Sequence, residues 1–197
     1  MGFSLFVVDS RVADTDQLMK GLGPSAQVLA VSPEENAVAR IAQVLDAHPA
    51  GIGRGIDRLE IVSHGQPGAL LLGRDRLDAA QLTQYRDALK TWGRSLGQAG
   101  EIILHGCQVG AGAIGQAFVE QLHRLTGAGV AANQDITGGD RTEGNWVFDV
   151  LVGGAIGRSG LSRSARKSYA YTLAVFTVSN AADDGTGFST GTLSEAI

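Results

Sequence analysis

Five short apolar runs punctuate the chain, at residues 5–8, 28–31, 59–62, 102–104 and 130–132. Each is rich in Val, Ile, Leu or Ala with little polar interruption, the pattern of strands buried on both faces. Between them, residues 16–22, 33–47, 79–96 and 114–126 carry apolar positions at helical spacing. Ser32 followed by Pro33, Glu34 and Glu35 predicts a helix start, with serine as cap and proline at the first helical position. Buried strands alternating with amphipathic helices predict an α/β fold, a three-layer αβα sandwich around a mostly parallel sheet. Leu70, Leu71 and Leu72, behind Gln66-Pro67-Gly68, predict a small hairpin, and residues 146–150 a further edge strand.

The pattern changes after residue 153. Residues 1–154 read as one domain, 155–170 as a linker rich in Gly, Ser and Arg, and 171–197 as the start of a β module. Residues 169–178 alternate like a strand, and the stretch from 180 on is rich in Asp, Gly, Ser and Thr. The length suits one α/β domain plus an extension.

Charge narrows the partners. The formal net charge is −4, and the Lys and Arg residues are scattered rather than clustered. That gives neither a nucleic-acid footprint nor a polybasic membrane patch. No apolar stretch is long enough to span a bilayer. The first residues lack the basic start and cleavage site of a secretory signal and read as the first strand.

The chemistry gathers at two strand ends. Ser63-His64-Gly65 closes one apolar run and His105-Gly106-Cys107 closes another. In a parallel sheet both open on the C-terminal edge, where such sheets place ligands. Cys107 is the sole cysteine, so no disulfide forms within the chain. An imidazole and a thiol at neighbouring strand ends are the parts of an activated sulfur nucleophile. An ion pair with His64 and the N-terminus of the following helix would both lower the thiol pKa. The N–H groups of Gly65 and Cys107 are the candidate oxyanion donors. His105 is a rival imidazole of uncertain orientation.

Each candidate also has a bland role. A lone cysteine packs as a small hydrophobe. His64 suits a hydrogen-bonded loop, and Asp9 and Asp135 suit turn or helix caps. His48 and His123 read as solvent-facing, Trp92 and Trp146 as packing residues. Gly110, Gly112 and Gly115 satisfy a dinucleotide fingerprint, but the first lies well past the strand end. Gly187-Phe188-Ser189-Thr190-Gly191 lacks the strand-turn-helix context of a hydrolase elbow. No Cys/His cluster has structural zinc spacing, and Asp183 with Asp184 is an unsupported calcium pair. No cofactor or metal is called for.

Strand-His-Gly, a spacer of roughly 40 residues, then strand-His-Gly-Cys resembles the caspase-like (clan CD) cysteine peptidases, whose histidine precedes the cysteine by about 50 residues in caspases. His64 matches the family's catalytic histidine, Gly65 the glycine after it, and Cys107 the nucleophile. His105-Gly106-Cys107 replaces the caspase Gln-Ala-Cys, so the chain is not a caspase proper. It is more similar to an uncharacterised domain family at the N-terminus of giant bacterial surface adhesins. The carriers are Phe6-Val7-Val8-Asp9-Ser10, Val62-Ser63-His64-Gly65, Gly106-Cys107-Gln108-Val109 and the stretch from Val130 to Gly138. The tail, Phe176 to Asn180 and Gly191 to Ile197, looks like the opening of a β-helical surface repeat.

The resemblance implies a caspase-like sheet, amide hydrolysis through a thioester, and a peptide or protein substrate. It implies a secreted or surface location within a larger protein. It also places Asp9 and Asp135, with Asp140 as a weaker candidate, in the walls of the pocket preceding the scissile bond. Acids there favour Arg or Lys. Arg163, Arg166 and Lys167 in the expected linker are then candidate sites for cleavage of the chain by itself. The alternative is an inactive module serving as folding cap or docking domain of an adhesin.

Overall fold

The computed structural model describes residues 3–48, 56–139 and 142–175. Its central sheet has six strands in the order β2-β1-β3-β7-β8-β9. These are β1 (Phe3–Asp9), β2 (Ala26–Val31), β3 (Ile56–Val62), β7 (Leu96–Leu104), β8 (Gly129–Ala132) and β9 (Val150–Val152). The first five run parallel and β9 pairs antiparallel with β8. The αβα sandwich expected from the alternation is the architecture observed.

Alternate residues of each strand feed opposite cores, as the two-residue period requires. Leu5, Val7, Leu59, Ile61, Ile102 and Leu104 pack into one core. Beneath it lie α2 (Ala37–Ala47), α3 (Ala79–Gln84), α4 (Arg86–Ser95) and α5 (Gly112–Thr126). Phe6, Val8 and Val62 face the other side. There α1 (Thr15–Met19) and α6 (Arg163–Ser168) pack together.

The helices depart from expectation in instructive ways. Ser32 does not cap α2. Its N–H is taken by Glu35 Oε2 at 2.6 Å, residues 33–35 form a turn, and Asn36 accepts from the Ala39 N–H at 3.0 Å. The helix expected over 79–96 is two helices, broken at Tyr85, whose hydroxyl is drawn to Asp75. His123 is not free in solvent but bonds the Ala128 carbonyl at 2.7 Å. The hairpin is realised as a small antiparallel sheet, β4 (Gly65–Gln66), β5 (Ala69–Leu72) and β6 (Asp75–Asp78).

The largest departure is after residue 154. The expected linker contains α6, capped by Ser162, whose hydroxyl accepts from Ala165 N–H. Ala165 and Tyr169 are buried, and the Tyr169 hydroxyl donates to the Ala13 carbonyl at 2.9 Å. Leu161, Tyr169 and Leu173 share the core of Phe6 and Val8, so this stretch completes one face of the sandwich. The hydrolase-elbow pattern, the aspartate pair and the repeat-like tail beyond residue 175 lie outside the described residues. No described helix is long and apolar enough to cross a membrane.

Candidate functional site

The site is set by strand register. Ile61 of β3 pairs with Leu104 of β7. His64 and Cys107 each lie three residues further on, so both leave the same edge at the same level. The two loops then touch backbone to backbone. A Cβ on Gly65 would stand 2.6 Å from Val109 Cγ2 and 2.8 Å from Gly106 Cα; one on Gly106 would stand 2.9 Å from Gly65 Cα. Only glycine permits this approach.

Its result is a pair of converging donors. The Gly65 N–H donates to the Leu173 carbonyl oxygen at 2.9 Å, and the Cys107 N–H donates to the same oxygen at 3.2 Å. Gln108, directly after the cysteine, has φ +56°, a left-handed conformation costing on the order of 1 kcal/mol for a side-chain-bearing residue. It is held by donation of its N–H to the Asp135 carbonyl at 2.8 Å.

Cys107 and His64 each have another partner. Cys107 is 1% exposed. Its sulfur accepts from the Thr137 N–H at 3.1 Å, and its S–H faces the Thr137 carbonyl at 3.4 Å. Burial pushes the thiol up to about 11, against hydrogen bonds at Thr137 and Leu173 that pull it down. The expected depression of the thiol is therefore reversed, because desolvation outweighs every favourable contact. His64 donates from Nε2 to the Arg11 carbonyl at 3.1 Å, while its buried Nδ1 has no partner.

The expected acidic pocket is not assembled. Asp9 is fully buried and clamped by Arg11, with Oδ1–Nε and Oδ2–Nη2 distances of 2.7 Å. It also accepts the Gly73 N–H at 2.8 Å. This bidentate pairing neutralises the carboxylate and leaves it no ligand to bind. Asp135 is exposed, and its carboxylate accepts from Asn145 Nδ2 at 3.1 Å. Asp140 lies outside the described residues. Arg163, Arg166 and Lys167 sit on α6, where a helical backbone cannot lie extended in a cleft.

His105 takes no part in the cleft. It is fully buried, with Nε2 2.8 Å from Glu60 Oε2 and its ring edge-on to Phe148. Two of the dinucleotide glycines have packing reasons, since a Cβ on Gly115 would stand 2.3 Å from Gly110 C and one on Gly110 2.7 Å from Val150 Cγ2, while Gly112 has open space and a left-handed φ of +62°. Among the described residues, no cluster of three His, Cys, Asp or Glu could hold a metal.

Three residues escaped sequence reasoning. Arg11 carried a local signal, a guanidinium two positions after a strand-end acid. Thr137 and Leu173 meet the thiol and the donor pair through their backbones, which leave no mark in side-chain chemistry, and the Thr137 hydroxyl also donates to the Gly106 carbonyl at 3.2 Å.

Comparison with known proteins adds a family. A family model described as a domain of unknown function, DUF4347, matches residues 5–173. No curated protein matches. Among solved structures, a small-chain dehydrogenase is similar at 16% identity and TM-score 0.34, covering 66% of this chain and 77% of that one. A small-chain dehydrogenase in complex with NADPH is similar at 18% identity and TM-score 0.28, covering 64% and 59%.

Proposed function

The chain belongs to the DUF4347 family, and from that premise we propose that its sheet edge is a cysteine peptidase centre with His64 and Cys107 as the working pair. One observation carries the reading: two backbone N–H groups, at Gly65 and Cys107, converge on a single carbonyl oxygen beside the only thiol. That is the donor arrangement an oxyanion requires in acyl transfer.

The chemistry follows from the residues. Cys107 Sγ attacks the amide carbon and forms an S–C bond. The carbonyl oxygen takes up charge against the two N–H groups, and the C–N bond breaks as His64 delivers a proton to the departing amine. Water then hydrolyses the thioester, returning the thiol and releasing a carboxylate. Unpartnered Nδ1 of His64 is the position from which the imidazole exchanges that proton. The geometry described is a resting one, with the thiol protonated and the cleft filled. Admitting solvent would relieve burial, the largest cause of the raised thiol.

A second reading has its own support. The buried, Thr137-bound sulfur suits an inert thiol in a folding cap or docking domain. On either reading, the resemblance in the strand-end motifs supports a setting within a larger secreted or surface protein of adhesin type.

A peptide library read by mass spectrometry separates the two. Cuts made by the wild-type chain and absent with Cys107→Ala and His64→Ala support the peptidase. An untouched library, with Cys107 also refractory to a peptidyl acyloxymethyl ketone, supports the inert module.

A further inference from the structure

We infer that the chain's own residues 171–175 occupy the peptide-binding cleft as a substrate, with Leu173–Ala174 as the bond that Cys107 cleaves. This rests on the peptidase reading and names its first substrate.

The segment is placed as a substrate would be. Thr172 bridges Gly138 in antiparallel pairing, while Ala174 bridges Gly65 in parallel pairing. Thr172 and Ala174, two residues apart on either side of Leu173, thus engage different walls of the cleft, as in recognition by strand addition. The Leu173 N–H donates to the Thr137 carbonyl at 2.9 Å. Its own carbonyl oxygen is the atom held by the Gly65 and Cys107 N–H groups. Of all amides near the thiol, this one has its oxygen in the donor pair.

The pocket is apolar. Leu173 is fully buried among Phe6, Val8, Val62, Leu161 and Tyr169, with Cys107 in the same cluster. A leucine before the scissile bond takes the place of the basic residue first expected, because Asp9 is already spent on Arg11. The family match ends at this same residue, so the cut would leave the matched stretch whole.

The reaction balances with water alone. Cys107 sulfur bonds the Leu173 carbonyl carbon as the Leu173–Ala174 C–N bond breaks. The thiol proton passes through His64 to the Ala174 nitrogen. Water hydrolyses the thioester, leaving a carboxylate on Leu173 and a free amine on Ala174.

Intact-mass measurement of the full chain during incubation tests this. The expected result is a fragment ending at Leu173 and a complement beginning at Ala174. Both should be absent with Cys107→Ala and with Ala174→Pro, which leaves Leu173 in its pocket but replaces the scissile secondary amide. Leu173→Met should still be cut, whereas Leu173→Ala should be slowed roughly tenfold to a hundredfold by the lost apolar contact. Fragments at another bond, or equal fragments with Cys107→Ala, would overturn the inference. An intact 173–174 bond alongside Cys107-dependent cuts in a peptide library would overturn it and leave the peptidase reading standing. An intact bond with an untouched library would remove both.

Discussion

The carbonyl oxygen of Arg11 lies 3.1 Å from His64 Nε2. A carbonyl only accepts, so this contact places a proton on Nε2 and leaves Nδ1 as the ring atom without a partner. Arg11 is itself fixed by two bonds to Asp9 and by donation from Nη2 to the Gly73 carbonyl at 2.7 Å. The acid at the end of β1 thereby orients a histidine at the end of β3 without touching it.

Replacing Asp9 by Ala should loosen this chain of contacts. The loss of a buried partner to a half-exposed guanidinium costs roughly 2–3 kcal/mol, read as a lower urea midpoint. Cys107-dependent cleavage should fall with it. Arg11→Lys should fail to restore either property, because an ammonium cannot reproduce the two-pronged contact.

Gly65→Ala should destabilise by about 1–3 kcal/mol, since its Cβ meets Val109, Gly106 and Cys107 at 2.6–2.9 Å. Gly23→Ala is the control, with nothing within 4 Å of its Cβ, and should change stability by less than about 0.5 kcal/mol. Equal urea midpoints for the two variants would contradict the close approach of the loops.

Alkaline pH should weaken the fold through Cys107. Its thiol titrates at about 11 in the folded chain against 9.0 for a free thiol. The folded state therefore holds its proton more tightly, and the associated stability is complete below pH 9 and lost between 9 and 11. The loss amounts to roughly 2–3 kcal/mol. Tyr169, raised by burial, adds to any decline at high pH, so the difference between wild type and Cys107→Ala isolates the thiol. Iodoacetamide labelling should show the same shift, with a midpoint near 11 folded and near 9 in strong denaturant.

His105→Ala should destabilise by about 3 kcal/mol, because it strands the buried Glu60 carboxylate without its imidazole. Glu60 would keep its bonds from the Gly160 N–H and the Ser159 hydroxyl and the Arg58 guanidinium 3.6 Å away, which hold the cost near the lower end for a broken buried pair. Library cleavage per folded molecule should be unchanged. A selective loss of cleavage would instead bring His105 into the reaction.

The strands were readable because β1, β3, β7 and β8 are buried on both faces and so appear as unbroken apolar runs. The edge carrying His64 and Cys107 followed from that, with glycines marking the two loops. Helix boundaries were less readable. Pro33 is a good first residue, yet the Glu35 carbonyl is taken by the Arg74 N–H, and the cap passes to Asn36. The break at Tyr85 has no glycine or proline to announce it. The thiol's raised pKa was out of reach, since the cover comes partly from Leu173, far along the chain and apolar in chemistry. The folded stretch around α6 did leave a trace: Ala165 and Tyr169 are four apart, one helical turn, among polar neighbours.

The paired glycines at 65 and 106 have a diagnostic consequence. They are demanded by steric contact between two loops, whatever happens at the sulfur. A related chain that had abandoned catalysis would still need both to close its sheet edge. Shared glycines therefore report common architecture, while on the proposed peptidase reading an imidazole at 64 together with a thiol at 107 is what would separate working relatives from retired ones.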